Sequence, residues 1–321
     1  MKSSGKKTPR TTDFPQTLQE AIKYFSDVET CTTFVAMMRW PDGVSCPYCA
    51  GKAVSYLSTV RKWKCMKKEC HKQFSAKVGT VMEDSPIGLD KWLAAMWMIC
   101  NAKNGVSSYE ISRALDITQK SAWFLLHRIR LAMQGGSFEK LSGEVEVDET
   151  YIGGKARFMH KNKREAKIRG RGSVGKVAVM GLLERNGEIR TKVIDNADKE
   201  TLHGEVKRHV EQGTELFTDQ WKGYSGLEAE YIHNVINHAE RYVDGNVHTC
   251  NIDNYWSLLK RSIKGTYVSV EPFHLFRYLD EQAFRFNERK VKDADRFVRT
   301  VKQIAGKRLT YDELIGEKTG H

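Results

Sequence analysis

The spacing of apolar and polar residues divides the first half of the chain into helical and strand-rich stretches. Residues 17–24 and 29–38 carry apolar side chains at helical spacing, and residues 89–135 do so again with few strand formers. Between them, residues 43–74 alternate short strand-like runs with turns and contain four cysteines. We therefore expect a helical preamble followed by two small units of different architecture.

The second half of the chain alternates strand-like runs with a helical stretch. This alternation predicts one mixed α/β unit, and the pattern after Asn251 is helical again, with Trp256 and Phe284 on apolar faces. A stretch rich in Lys and Arg at residues 155–176 predicts a solvated basic loop between two strands. The predicted elements of the unit are strands at 145–152, 176–183, 188–194, 215–218 and 231–236 and a helix at 199–212.

The charge balance favours an anionic partner. The 52 Lys and Arg residues exceed the 40 Asp and Glu residues, which gives a net charge of +12. Because Lys and Arg that contact phosphates release condensed counterions, nucleic acid is the leading candidate, although charge alone does not decide it. The best apolar run, residues 92–100, is too short to span a membrane, and the basic N-terminus lacks the core of a secretion signal. We expect a cytoplasmic protein with reduced cysteines and no membrane partner.

Four cysteines in two pairs predict a zinc site. Two residues separate Cys46 from Cys49, four separate Cys65 from Cys70, and fifteen lie between the pairs. This spacing is close to that of knuckles that place four thiolates tetrahedrally around Zn²⁺. The second pair is wider than the usual two-residue spacing, and His71 could replace or compete with Cys70.

Residues 105–130 have the outline of a helix-turn-helix, with Ser107 and Thr118 as N-caps of two short helices. The second helix of such a motif presents its first turn to base edges in the major groove. An ordinary helical hairpin remains the alternative. The expected DNA contacts are Gln119, Lys120 and Ser121 in the first turn, with Arg128 and Arg130 nearer the phosphates.

Two strand-borne aspartates and one helix-borne acid form the candidate catalytic site. Asp148 lies in an alternating strand, Asp219 ends a short apolar strand, and Asp253 lies at the opening of a helix. A carboxylate in a central strand is costly to bury without a cation. Three such acids are what two-metal phosphoryl transfer requires, so the pattern predicts Mg²⁺ or Mn²⁺ as cofactor.

The motifs around these acids resemble one family. Residues 147–155, 218–224 and 251–261 are similar to the motifs of the zinc-ribbon DDE transposases of bacterial insertion sequences, the group numbered fifteen ninety-five. The likeness runs roughly from Cys46 to Arg289. It implies an RNase H-like catalytic domain with a mixed five-stranded sheet and helices, dependence on Mg²⁺ or Mn²⁺, and recognition of terminal inverted repeats by the N-terminal modules.

The third acidic position departs from the family pattern. Members have Glu three residues before the Trp or are described as using the following Asn, whereas this chain has Asp253 and Asn254. We favour Asp253, because Lys260 lies seven residues on and shares its helix face, and because a carboxylate binds Mg²⁺ better than an amide. Asn254 remains the alternative. Lys260 either contacts substrate phosphate or is a solvated helix charge.

Two further cations, Arg285 and Arg289, lie one turn apart on the predicted late helix. They are expected to follow the DNA backbone. The alternative is that they form salt bridges with Glu281 or Glu288.

Taken together, the sequence predicts a multi-domain α/β protein that acts as a DNA transposase, cleaving and joining double-stranded DNA as a homodimer or larger assembly on DNA. Two alternatives stay open: a non-catalytic regulator that keeps the DNA-binding modules, which Asp at the third acidic position favours, and an RNase H-like nuclease that hydrolyses without joining. The predicted domains are a preamble at 1–42, a zinc ribbon at 43–80, a helix-turn-helix at 86–135, the catalytic domain at 143–295 and a C-terminal tail at 296–321.

Overall fold

The computed structural model describes residues 14–135, 139–153, 175–236 and 249–317. The chain divides into two compact units, one formed by residues 1–134 together with 288–321 and the other by residues 135–287. The basic stretch predicted at 155–176 lies almost entirely outside the described residues.

The helices and strands agree closely with the predicted pattern. In chain order they are α1 (Leu18–Tyr24), α2 (Val28–Arg39), β1 (Val54–Leu57), β2 (Lys62–Cys65), β3 (Gln73–Phe74), α3 (Leu89–Asn101), α4 (Ser108–Leu115), α5 (Gln119–Met133), β4 (Glu144–Ile152), β5 (Val177–Glu184), β6 (Ile189–Ile194), α6 (Lys199–His209), β7 (Glu215–Asp219), β8 (Ile232–Ile236), α7 (Cys250–Ser262), α8 (Leu275–Asn287), α9 (Asp293–Lys302) and α10 (Tyr311–Ile315).

Aromatic rings from distant parts of the sequence form the core of the first unit. Phe34 of α2 lies 4.9 Å from Phe25 and stacks on Phe297 of α9 at 5.8 Å between ring centroids. Trp97 of α3 contacts the same Phe297 ring at 5.0 Å. The segment expected to be a C-terminal tail, 296–321, therefore holds most of α9 and all of α10, because burial of apolar side chains such as Phe297 stabilises the helix there.

The ribbon is a small antiparallel sheet of order β1-β2-β3. Its apolar material is a short stack of rings: Trp63 lies 4.9 Å from Tyr56, 5.7 Å from Trp40 and 6.2 Å from Phe74. A core this small buries too little apolar surface to stabilise three short strands by itself. A bound metal ion is therefore needed to stabilise the ribbon.

The second unit is built on a mixed five-stranded sheet of order β6-β5-β4-β7-β8. Strands β4, β5 and β6 pair antiparallel, whereas β4 with β7 and β7 with β8 pair parallel. The predicted RNase H-like arrangement, a mixed sheet with helices preceded by a zinc ribbon, is thus confirmed. Helix α6 ends at His209, three residues before the predicted end, because Val210 is extended.

Alternation along the strands sends side chains to two layers. Val145 and Val147 of β4 pack with Leu202 and Val206 of α6 on one face. Val179 and Leu183 of β5 pack on the other face with α7 and α8. Since side chains in a strand point to opposite faces in turn, Glu146 and Asp148 lie on the α7 face of β4.

Among the described residues, we find no helix that combines the length and the apolar character needed to cross a membrane.

Candidate active site and metal centre

Asp148 and Asp219 lie on neighbouring strands of the central sheet. Strand β4 pairs with β7 in parallel, and the partners are Glu144 with Glu215 and Glu146 with Phe217. Asp148 and Asp219 each lie two residues beyond the last of these pairs. Because side chains two residues apart on a strand point to the same face, both aspartates lie on one face of the sheet.

Asp148 is held in a largely apolar environment between the sheet and α7. The indole Nε1 of Trp256 donates a hydrogen bond of 2.8 Å to its Oδ2. Burial raises the pKa of Asp148 to about 7, and the charges of Glu149, Asp253 and Asp219 raise it further, against the lowering effect of the Trp256 hydrogen bond. The charges of the neighbouring acids therefore contribute to the raised pKa of Asp148, after the larger effect of burial.

Asp219 and Glu149 are held by fixed partners. The backbone N–H of Trp221 donates to Asp219 Oδ1 at 2.9 Å, which holds the carboxylate at the end of β7. The hydroxyl of Tyr224 donates to Glu149 Oε2. Burial raises the pKa of Glu149, and the charge of Asp219 adds to the rise. One carboxylate oxygen of Glu149 is therefore taken up by the hydrogen bond with Tyr224.

Helix α7 carries Asp253, the predicted third acid, and contacts Asp148 through Trp256. Asp253 lies three residues before Trp256 on the helix, is exposed, and accepts a hydrogen bond of 3.5 Å from Thr249 Oγ1. Its charge raises the pKa of Asp148. Asn254 and Lys260 are exposed on the same helix. Because the charge of Asp253 acts on Asp148, Asp253 stays the predicted third acid, and the uncharged Asn254 stays the alternative.

The structure identifies three further residues at the site. Trp256 was expected only as part of an apolar face, yet its indole contacts Asp148. Gly181 is the β5 partner of Asp148, and a side chain there would collide with Trp256. Glu146 is fully buried and accepts hydrogen bonds from the start of α7. Strand alternation placed Glu146 on the face of Asp148 but gave no sign of its partner.

The carboxylates of Asp148, Asp219 and Asp253 could together hold a divalent cation. Carboxylate oxygens are the ligands that Mg²⁺ and Mn²⁺ prefer. The raised pKa of Asp148 comes from burial and like charges, and a cation would offset both. The ligand type therefore suits a hard divalent ion, whereas among the described residues only the four cysteines have ligand atoms that all lie within 4.8 Å of one another.

The four cysteines of the ribbon form the cluster that the sequence predicted. The Sγ atoms of Cys46, Cys49, Cys65 and Cys70 all lie within 4.8 Å of one another. Cys46 Sγ is 3.7 Å from Cys70 Sγ, and Cys49 Sγ is 3.6 Å from Cys65 Sγ. Tetrahedral Zn²⁺ with bonds of about 2.3 Å requires sulfur atoms about 3.8 Å apart, so the cluster fits zinc.

One further detail of the ribbon concerns the fourth ligand. His71, considered as a competitor of Cys70, is not among the clustered ligands of the described residues.

The helix-turn-helix outline is found at α4 and α5. Ser107 forms a capping box with Glu110, and the Thr118 side chain accepts from Ser121 N, so both predicted N-caps are confirmed. In the first turn of α5, Gln119 donates to Ser108 Oγ at 2.9 Å, and Ser121 hydrogen-bonds with Thr118. Lys120 is exposed, with its Nζ 4.6 Å from the centre of the Tyr311 ring.

Arg128 and Arg130 do not occupy the expected positions near DNA. They are 4% and 1% exposed, because the C-terminal half of α5 is buried inside the first unit. Arg128 donates to the carbonyl of Glu83 and lies 5.4 Å from the centre of the Trp92 ring. Burial lowers the pKa of Arg128 to about 10. The expectation that these two arginines contact phosphates is wrong in this structure.

Arg285 also departs from the expected role. It is buried, forms an ion pair with Glu281 and donates to Gln282 Oε1 at 2.7 Å. The salt bridge that was the alternative is therefore present, and the guanidinium is unavailable to DNA. Arg289 is exposed, but α8 ends at Asn287, so the two arginines do not share one helix face.

Comparisons with known proteins agree with the fold and the metal ligands. The family model described as "ISXO2-like transposase domain" matches residues 140–287, and that described as "Transposase zinc-ribbon domain" matches residues 26–73. The chain is 25% identical over 251 residues to a protein of Halobacterium salinarum, strain ATCC 700922 / JCM 11081 / NRC-1, described as "Uncharacterized protein in transposable element ISH50". That alignment covers 75% of this chain and 84% of the relative.

The mixed sheet and the four-cysteine cluster, together with these matches, define an insertion-sequence transposase. More specifically, its zinc ribbon and the ISXO2-like transposase domain that follows both match family models of the IS1595 transposases.

Proposed function

We propose that this chain binds the terminal inverted repeats of an insertion sequence, cleaves the DNA at those ends and joins the liberated 3′ hydroxyl to target DNA. The observation that carries the proposal is the hydrogen bond from Trp256 to Asp148, which joins the helix that carries Asp253 to strand β4, the neighbour of the strand β7 that ends at Asp219. Acids that converge at the end of a central strand pair are suited to phosphoryl transfer on a backbone phosphate.

We further propose that Asp148, Asp219 and Asp253 hold Mg²⁺ or Mn²⁺. When bound, such ions supply activation of the attacking oxygen and neutralisation of the charge on the leaving oxygen. The chain's own contribution is orientation: Trp256 directs one carboxylate oxygen of Asp148, and the backbone N–H of Trp221 directs Asp219. Lys260, exposed on α7, is a candidate contact for the substrate phosphate.

DNA recognition is assigned to the first unit. Lys120 offers an exposed ammonium in the first turn of α5, where a recognition helix meets the major groove. Gln119 and Ser121 flank Lys120. Once their side chains exchange their present hydrogen bonds for bonds to DNA, they can face base edges. Arg289 is the exposed cation that remains from the predicted pair. Because two transposon ends must be brought together, we expect a dimer or larger assembly on DNA.

A strand-transfer assay with labelled transposon ends in Mg²⁺ tests the proposal. Asp148→Ala and Asp219→Ala should each abolish cleavage and joining while DNA-end binding is kept, because both lie in the second unit. Asp195→Ala removes an exposed acid beyond the end of β6 and serves as the matched control, with activity unchanged.

Each product pattern has a distinct meaning. Joined products support a transposase, cleavage without joining supports a nuclease, and binding alone supports a regulator. Full activity in either alanine variant would remove the proposed acidic site.

A further inference from the structure

Helix α7 begins without a cap from its own sequence. Its N-cap residue is Thr249, whose side chain makes no capping hydrogen bond. The first backbone N–H groups of a helix have no partner inside the helix and are usually satisfied by a Ser, Thr, Asp or Asn at the N-cap. Since Thr249 is 2% exposed, water is a poor substitute at this end.

Glu146 of strand β4 supplies the missing cap. Its Oε2 accepts hydrogen bonds from the backbone N–H groups of Asn251 at 3.1 Å and Ile252 at 2.9 Å. Its Oε1 accepts from Asn251 Nδ2 at 2.7 Å. These are the second and third residues of the helix, the positions that an N-cap side chain normally serves. A strand therefore caps the helix across more than a hundred residues of sequence.

The cap is charged and paired. Glu146 is fully buried, and Arg185 Nε donates to its Oε1 at 2.9 Å. A buried carboxylate needs a cation and several hydrogen bonds, and this one has both. A negative charge at the N-terminus of a helix also interacts favourably with the helix dipole.

The cap sits beside the catalytic strand positions. Glu146 and Asp148 share one face of β4, and Asp148 accepts from Trp256 one turn further along α7. Opposite Asp148, a Cβ on Gly181 would lie 2.6 Å from the Trp256 ring and 3.0 Å from Ile252 Cδ1. The absence of a side chain at Gly181 is what lets α7 approach the sheet so closely.

We propose that Glu146 is a positioning residue that holds Asp253 at the metal site by capping helix α7 from the strand that carries Asp148. Asp253 lies between the two anchored points of the helix, Ile252 at the cap and Trp256 at Asp148. Loss of the cap frees one anchor and lets Asp253 move away from Asp148. The inference rests on the proposed function only in taking these aspartates as metal ligands.

Glu146→Gln is the first variant, because it removes the negative charge and replaces one accepting oxygen with an NH₂ group, which cannot accept from the backbone N–H donors. Glu146→Gln combined with Arg185→Gln avoids a lone buried guanidinium and serves if the single variant folds poorly. Glu144→Gln is the matched control: Glu144 lies on the same strand and face and pairs with Arg185 at 3.5 Å. Glu146→Asp keeps the charge on a shorter side chain and should fall between wild type and Glu146→Gln.

Two measurements on the full chain need no turnover. Hydrogen exchange of the Asn251 and Ile252 amides reports the cap, and electron paramagnetic resonance of free Mn²⁺ at pH 8 reports metal affinity. We expect Glu146→Gln to speed exchange at both amides and to weaken Mn²⁺ binding about 10- to 100-fold, the range for residues that orient metal ligands. Glu144→Gln should leave both unchanged.

A double-mutant cycle with Asp253→Asn separates positioning from general loosening. If Glu146 acts through Asp253, Glu146→Gln adds no further loss of Mn²⁺ affinity once Asp253 is replaced. An equal loss in that background, unchanged amide exchange, or unchanged Mn²⁺ affinity would each overturn the inference. If Mn²⁺ binding depends on Glu146 but the protein cuts no DNA, the transposase proposal fails and the positioning role of Glu146 stands. If DNA cleavage requires Asp148 and Asp219 but Mn²⁺ affinity is the same with and without Glu146, the transposase proposal stands and the positioning role fails.

Discussion

The zinc ribbon and the acidic site are both clusters of anionic ligands, yet they are assembled in different ways. The ribbon ligands span residues 46 to 70 and converge through two tight turns. The acids span residues 148 to 253 and lie on three elements, β4, β7 and α7. Local spacing brings the four cysteines together, whereas only tertiary packing can bring the three acids together.

The two clusters also differ in what they leave free. Four thiolates fill the coordination sphere of tetrahedral zinc, which is typical of a structural site. The acids include an exposed carboxylate, Asp253, and a half-buried one, Asp148, whose pKa is raised to about 7 by burial and like charges. A closed cluster stabilises a fold, whereas an acidic cluster that reaches the surface can admit a substrate.

Removal of zinc should have the largest effect. A strong chelator should unfold the ribbon and abolish DNA-end binding, since structural zinc contributes on the order of 10 kcal/mol to such small domains. The second unit should keep its own fold. Zinc release can be followed with a chromogenic chelator while near-ultraviolet circular dichroism reports the Trp63 stack, and a ribbon that stays folded after zinc loss would remove the distinction drawn above.

Substitution of the third acid should have the next largest effect. We expect Asp253→Ala to lower the cleavage rate by about 100-fold or more and Asn254→Ala to lower it only about threefold, because the carboxylate and not the amide faces Asp148. Single-turnover cleavage of labelled ends at saturating Mg²⁺ measures both. A larger loss for Asn254→Ala would reverse the assignment.

The raised pKa of Asp148 predicts a pH-dependent stability. The folded metal-free protein holds the Asp148 proton up to about pH 7, whereas the unfolded chain releases it near the ordinary value of 3.8, so this group costs stability as pH rises through that window. Without Mg²⁺ but with zinc retained, Asp148→Asn should raise the free energy of unfolding by about 4 kcal/mol at pH 8 and hardly at all below pH 4, because each unit of pKa shift corresponds to about 1.4 kcal/mol. Urea titrations at the two pH values test this, and equal effects at both would contradict the buried, repelled carboxylate.

The smallest effect is expected at the DNA-recognition helix. Lys120→Ala should weaken binding to transposon ends about threefold at low salt and less at high salt, because one exposed ammonium contributes through phosphate attraction. Lys103→Ala, at another exposed position of the first unit, is the control. Fluorescence anisotropy of a labelled transposon end measures the binding. An equal loss of affinity in both variants would mean that α5 has no special role.

Periodicity and spacing predicted much of the architecture. The five strands of the second unit lie within about one residue of their predicted bounds, because an alternating strand bounded by polar turns carries its own signal. The cysteine cluster followed from knuckle spacing alone. Both aspartates were predicted to lie on strands, and those strands, β4 and β7, pair with each other.

The sequence pattern could not predict contacts between residues that are far apart along the chain. Arg128 and Arg130 were assigned to DNA because cations are normally exposed, but α5 is covered on several sides, and the partner of Arg128 is the carbonyl of Glu83. Arg285 is buried with Glu281 for the same kind of reason. Glu146 is one of several acids in β4, and its hydrogen bonds to the start of α7 are visible only in the folded chain.

The stacking of Phe297 on Phe34 has a consequence for how the molecule is made. The N-terminal unit contains residues from both ends of the chain, so its hydrophobic core remains incomplete until the last helices leave the ribosome. The transposase unit, whose residues are contiguous, can fold earlier. A protein shortened at residue 287 would keep the acidic strands and lose the ring that covers Phe34 and Trp97, so loss of the C-terminal helices would destabilise the first unit before the second.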